Sequence, residues 1–336
     1  MKAIICEAPL KLTLQDRPAP QAKPDEALIR IRRVGLCGTD FHIFKGNQPF
    51  LSYPRVMGHE LAGEIVSAPA GSGFAPGEQV TINPYLPCGD CHACRNAKPN
   101  CCAAIRVLGV HMDGGMSEII AVPVAAIIPV PGLTLDQAAM VEFLAVGAHA
   151  VRRGMVRAGE TVLVVGAGPI GVGVVLFAQI AGARVVLIDS SVPRLAHARE
   201  RVGVAETRLV DGDLARYLSA DTRGDFFDCV FDATGNRGAM EQGFGWVAHG
   251  GRYVLVSVIK DDITFSDPEF HRREMTLIGS RNALREDFQQ VIDCLVDGTI
   301  PTAPLHTHSF ELEALEVEMP RLLEIQPSIM KAIGRF

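Results

Sequence analysis

The sequence predicts an α/β protein in which a strand-rich domain precedes a doubly wound parallel sheet, and three observations predict it. Apolar runs in TVLVVGAGPIGVGVVLFAQIAGARVVLID and FDCVFDATG alternate with helical stretches, the pattern of a parallel sheet covered on both faces. The first third instead carries short apolar runs, at 27–34, 61–67 and 79–82, punctuated by Gly and Pro and poor in helical periodicity. At 336 residues the chain exceeds the size at which a single hydrophobic core stops growing, so two domains are expected.

In chain order, the strand-rich third ends where Thr134 and Gln137 form a capping box, opening an apolar helix expected over 135–154 that leads into the second domain. The strand, glycine-turn, helix, strand pattern begins at Thr161. After about residue 280 comes one amphipathic helix, expected over 285–297, and then short segments ending in IMKAIGRF. A net charge of −6 without Lys/Arg runs argues against nucleic acid or an acidic membrane surface as partner and for a small molecule. The first twenty residues lack an apolar signal-type segment, and the Val/Ala-rich stretches are too short and glycine-interrupted to span a bilayer, so a cytoplasmic location is expected. In that reducing compartment nine cysteines favour metal ligation over disulfides.

Cys88, Cys91, Cys94 and Cys102 lie in PCGDCHACRNAKPNCC, short CxxC steps followed by a longer excursion, which lets one loop supply four corners of a closed tetrahedral zinc site. Cys101 is an alternative last corner, and free or paired thiols are the plainer alternative for the set. Gly166, Gly168 and Gly171 form GxGxxG between a buried strand and a helix. The first glycine serves the tight turn, the second the approach of a pyrophosphate, and the third close packing of strand and helix. Pro169 and Ile170 within this turn, and Thr234 at the end of FDCVFDATG, are expected cofactor contacts. Asp189, ending the next strand, can accept both ribose hydroxyls of NAD and would repel the 2′-phosphate of NADP. Ser190 brings no cation to reverse that preference. Arg194 either lies over the adenine face or occupies a solvated helix surface.

A second metal constellation is drawn from three segments, GLCGTDFHIFKG, YPRVMGHELAGEIV and MVEFLAVGAHAV. Cys37, His59 and Glu142 offer a thiolate, an imidazole and a carboxylate, which can hold zinc with one position open. Each alone is more often an ordinary core residue. Beside a hydride acceptor the set gains meaning, because an alcohol oxygen must shed a proton as its carbon loses hydride.

These residues resemble the zinc-dependent medium-chain dehydrogenases over essentially the whole chain: the cysteine loop, GLCGTDFH, GHELAGEIV, the GAGPIG turn with Asp189, and the terminal IMKAIGRF. The resemblance implies a GroES-like catalytic domain at 1–147, an NAD-binding Rossmann domain at 148–282, and a segment at 283–336 that completes the catalytic domain. It implies Cys37 and His59 as ligands of a catalytic zinc, with Glu60 a near or exchangeable ligand and Asp40 the carboxylate behind the metal. Thr39 matches the hydroxyl that relays the substrate proton, and His42 the histidine that passes it through the cofactor ribose to solvent. Lys331 is expected to pair with Asp40. A homo-oligomer, dimer or tetramer, is also implied.

Glu142 is similar to the glutamate found in the polyol, threonine and sugar-acid members where alcohol dehydrogenases carry cysteine, and a carboxylate suits a many-oxygened substrate. CAAIRVLGVHMDGGMSEIIAVP, with His111 as an expected substrate contact, and GSRNALREDFQQVI resemble the branch acting at C5 of sugar acids such as L-galactonate or L-gulonate. Arg281 is expected at both cofactor and substrate, where its guanidinium could fork onto a carboxylate; a structural salt bridge is its plainer role. The expected function is hydride transfer from a secondary alcohol of a sugar acid or polyol to NAD in the cleft between domains. Threonine or simple polyol oxidation is second, and a noncatalytic NAD- and zinc-binding regulatory protein a distant third.

Overall fold

The computed structural model describes residues 1–48 and 51–336. The chain forms two compact units, one of Met1–Phe143 with Ala283–Phe336, the other of Leu144–Asn282.

The first unit is built on a seven-stranded sheet. Its central strand Glu26–Leu36 pairs antiparallel with Glu60–Ser67 on one side and with Lys331–Arg335 on the other. Gln79–Ile82, Ile127–Pro129, Ile119–Pro123 and His306–Glu311 complete the sheet. Register is what matters for function: Gly35 lies opposite Glu60, and Leu36 opposite Ala332. Residues far apart in sequence, at 35–37, 59–60 and 331, are thereby gathered at one end of adjacent strands. Ile29, Ile31, Val34, Leu61 and Ile333 are buried and fix that register, because a one-residue slip would turn them to the wrong face.

The second unit is a six-stranded sheet, all parallel, in the order Glu206–Leu209, Arg184–Asp189, Thr161–Val165, Phe227–Asp232, Val247–Leu255, Thr276–Gly279. The order reverses direction at Thr161–Val165, the switch point at which open α/β sheets bind ligands. Leu163, Val186, Phe227, Val230 and Tyr253 form its core. This is the α/β architecture read from the sequence.

One local expectation is corrected. The Thr134 capping box forms, with the Gln137 amide donating to Thr134 Oγ1 at 3.2 Å, but the helix stops at Ala138 and a second begins at Val141 and runs to Arg153. The break turns the Ala139 carbonyl toward Gly35, where a side chain on the glycine would meet it. It also places Glu142 in the first turn of the second helix.

Candidate active site

Cys37 follows the central strand and, with extended backbone, caps the helix Gly38–Phe44. Asp40 in that helix accepts a hydrogen bond from the Cys37 amide at 2.9 Å. His59 precedes the strand that Glu60 opens. Because Glu60 faces Gly35 across the pair, its carboxylate occupies the room a side chain would take: a Cβ on Gly35 would sit 2.2 Å from Glu60 Oε2. The result is a trio, Cys37, His59 and Glu60, whose ligand atoms all lie within 4.8 Å of one another. Glu60 is thus the carboxylate that converges with Cys37 and His59, whereas the sequence reading put Glu142 first and Glu60 as a near or exchangeable ligand.

Glu142 is buried near His59 and Glu60 but outside this group, and its Oε1 accepts a hydrogen bond from the hydroxyl of buried Tyr85. Burial raises its pKa to about 7, and the nearby Glu60 adds to the rise against the opposing pull of His59. Lys331 does not pair with Asp40 as expected. Its Nζ donates to both oxygens of Glu60 at 2.6 Å and to the Leu36 carbonyl at 3.3 Å, because its strand runs beside Leu36 and Gly35, and Glu60 is their next neighbour. The ammonium also sits 4.3 Å from the ring centre of Phe143.

Two buried polar atoms here lack a hydrogen-bond partner: His59 Nδ1 and Asp40 Oδ1, which face each other at 3.9 Å. Burial raises the Asp40 pKa; burial lowers that of His59, but Asp40 and Cys37 outweigh it and carry the imidazole well above its usual value. A thiolate, an imidazole and a carboxylate converging, with a carboxylate behind the imidazole to orient it, fit a zinc ion with an open position.

The four cysteines Cys88, Cys91, Cys94 and Cys102 also converge within 4.8 Å, with Cys101 outside the group. The Cys102–Cys88 and Cys91–Cys94 sulfur pairs are 3.4 and 3.5 Å apart, far beyond a disulfide bond and close to the edge of about 3.8 Å that a tetrahedron with Zn–S of about 2.3 Å requires. Hydrogen bonds from the backbone at Cys94 and Ala103 lower the Cys91 thiol to about 6, while burial and the Cys91 sulfur push Cys94 up to about 12.

In the second unit Gly166 has φ +106, a turn that glycine alone adopts readily. A Cβ on Gly171 would lie 1.8 Å from the Gly166 carbonyl oxygen, whereas one on Gly168, the cap of helix Pro169–Ile180, would meet nothing within 4 Å. One glycine thus packs strand to helix and another leaves its flank open to a ligand. A cavity of about 430 Å³ beside them is lined by Gly166, Gly168, Asp189, Ser190, Arg194 and Thr234, among others. Asp189 accepts from the Ala167 amide at 2.6 Å and the Ser191 amide at 2.7 Å, which aim its carboxylate at the cavity. Thr234 donates to buried Asp232 at 2.9 Å. Pro169 and Ile170 form the first turn of the helix.

Thr39 and His42 stand three residues apart on the helix that Cys37 caps, and so share a face; Thr39 is half-buried and His42 exposed. His111 is tied to the backbone, its Nδ1 accepting from the Val107 amide at 3.1 Å. Arg281 is exposed near the end of the second unit. Sequence reasoning missed Tyr85, Gly35 and the Ala167 amide. Gly35 and Ala167 lie inside GLCGTDFH and GAGPIG, but their roles depend on strand register and turn geometry, and Tyr85 lies in no motif singled out above.

A family model described as "Alcohol dehydrogenase GroES-like domain" matches residues 23–132, and one described as "Zinc-binding dehydrogenase" matches 169–297. The L-galactonate-5-dehydrogenase of Escherichia coli (strain K12) is 45% identical over 342 residues, covering 100% of this chain and 99% of that protein. Among solved structures, an alcohol dehydrogenase (rspB) from E. coli CFT073 complexed with NADH superposes with a TM-score of 0.93 at 30% identity, covering 100% of this chain and 99% of that one. The L-idonate 5-dehydrogenase of E. coli K-12 gives 0.91 at 25% identity, covering 100% and 98%.

Proposed function

Since this chain belongs to the zinc-binding alcohol dehydrogenases with a GroES-like domain, we propose that it oxidises a secondary alcohol of a sugar acid, at C5 of an L-galactonate- or L-gulonate-type substrate, with NAD as acceptor. The observation that carries this reading is the full-length 45% identity to an L-galactonate-5-dehydrogenase. The ligand trio and the glycine-turn cavity supply the chemistry such a reaction needs.

Cys37, His59 and Glu60 would hold the catalytic zinc, and the four loop cysteines a structural one. When bound, zinc acidifies the substrate hydroxyl and NAD accepts the hydride. The chain's own residues do the rest. Asp40 orients His59, and Lys331 holds Glu60 in place. Thr39 accepts the substrate's hydroxyl proton as it gives up its own, which would pass by way of the cofactor ribose to His42, exposed on the same helix face, and on to solvent. Asp189 binds the ribose hydroxyls, while Arg281 and His111 contact the substrate, Arg281 through its carboxylate. The same reading makes the protein a cytoplasmic homo-oligomer, a dimer or tetramer.

The test is NADH formation with aldonates, polyols, threonine and short alcohols. The highest kcat/KM is expected with an L-galactonate-type aldonate. Preference for a short monohydroxy alcohol would overturn the substrate class.

A further inference from the structure

Glu142 and Glu60 are two buried carboxylates beside one set of metal donors, and each has a different keeper. Glu60 is held by Lys331 and has its oxygen within reach of Cys37 and His59. Glu142 is outside that reach-defined trio and is engaged by the Tyr85 hydroxyl. Were both to close on one ion, four protein ligands would fill a tetrahedron and leave no place for substrate oxygen, because catalytic zinc sites keep one position open.

From this arrangement we infer that Tyr85 is a positioning residue, whose hydroxyl holds Glu142 beside the ion bound by Cys37, His59 and Glu60 and so keeps the fourth position open. The inference rests on the catalytic metal site proposed above.

Tyr85 is placed to do this firmly. It lies in the short strand Tyr85–Leu86, which pairs antiparallel with Arg106–Val107, Tyr85 opposite Val107. These two strands flank the four-cysteine loop, Cys88 following the first and Cys102 preceding the second. The ring packs edge-on against Phe288 at 6.5 Å between centroids, and the residue is only 8% exposed. A phenol braced in this way has little rotameric freedom, so its hydrogen bond fixes the carboxylate it contacts. A buried carboxylate that loses such a donor must find another partner, and the cation held by its neighbours is the one at hand.

The experiment uses the full-length protein with both sites loaded with Co(II), whose visible d–d bands report ligand number and type; the loop's contribution is subtracted with Cys37→Ala. In Tyr85→Phe, Glu142 is expected to join the ion. The bands should change, and release of that ion to a chelator should slow by about 10-fold or more. In Glu142→Gln the bands should match the wild type, and adding Tyr85→Phe to it should change neither bands nor release. Altered bands in Glu142→Gln alone would show that Glu142 is already a ligand and overturn the inference, even if Tyr85→Phe failed to fold. Wild-type bands and release in folded Tyr85→Phe would overturn it equally. Wild-type protein holding an ion only in the cysteine loop would overturn the metal reading beneath it.

Discussion

Lys331 and Glu60, 271 positions apart, form a fully buried ion pair in which one ammonium serves both carboxylate oxygens at 2.6 Å. A pair this deep contributes little net stability against an apolar alternative, but removing one partner strands the other. Lys331→Met should therefore cost about 3–5 kcal/mol in urea unfolding. Adding Glu60→Gln should recover part of that loss. Equal stability of Lys331→Met and wild type would show that Glu60 finds another partner.

Gly35 supports the same carboxylate by having no side chain. Its Cβ would sit 2.2 Å from Glu60 Oε2, which must then move, and would make a tight 3.2 Å contact with the Ala139 carbonyl oxygen. Gly35→Ala should displace Glu60 and weaken metal binding at the Cys37 site by about 10–100-fold, the usual penalty when a ligand's support is lost. Competition with a chromophoric chelator, measured beside the unaltered loop site, reads this directly.

These two supports show where sequence reading stops. That Cys37 converges with His59, and the four loop cysteines with one another, was legible because donor type and spacing mark such groups. The glycine turn and Asp189 were legible because strand, turn and helix follow each other along a short stretch. Lys331 was assigned to Asp40, and Glu142 ranked before Glu60, because both choices turn on which residues stand opposite in a sheet. Gly35 facing Glu60 is a consequence of register, and register depends on apolar contacts among strands from both ends of the chain. Tyr85 is hidden for the same reason: its partner lies 57 positions away in a helix whose start is set by an unforeseen break.

The cysteine loop supplies the strongest contrast between a structural and a catalytic metal. Cys94→Ser should lower bound zinc by one ion per chain and reduce thermal stability, since a closed site contributes its binding energy to folding. Cys37→Ala should likewise remove one ion while abolishing turnover and leaving NAD binding intact. Metal analysis with unfolding and cofactor titration separates the two; a turnover defect in Cys37→Ala without metal loss would contradict the assignment.

Asp136 sets an acid limit to stability. Arg33 and Arg335 donate to it, the latter at 3.2 Å, and His306 lies 3.7 Å away. Partial burial pushes its pKa up, but Arg33 and then Arg335 outweigh burial and hold it below the usual carboxylate value. The folded pKa thus lies below the unfolded one of about 3.9. The stabilisation is complete above the unfolded value and is lost as pH falls through the folded one. Asp136→Asn should lose about 1–2 kcal/mol at neutral pH, discounted for its partial exposure, and show a shallower fall on acidification. Urea midpoints from pH 7 down to 3 check the slope.

Asp189 has two jobs that one substitution can separate. Its carboxylate accepts from the Ala167 amide inside the glycine turn and from the Ser191 amide, and it lines the cavity where a ribose would lie. If its role were only to brace the turn, Asp189→Ala would weaken NAD and NADP alike, since both present the same pyrophosphate to that turn. If it also accepts the ribose hydroxyls, NAD loses charge-assisted hydrogen bonds of about 1.5–3 kcal/mol each, while NADP is freed from repulsion of its 2′-phosphate. The two affinities should therefore move in opposite directions relative to the shared loss, and the NAD:NADP preference should fall at least 10-fold. Fluorescence titration of both cofactors measures it. An unchanged ratio with both weakened would leave Asp189 as a brace of the turn and remove it from cofactor choice.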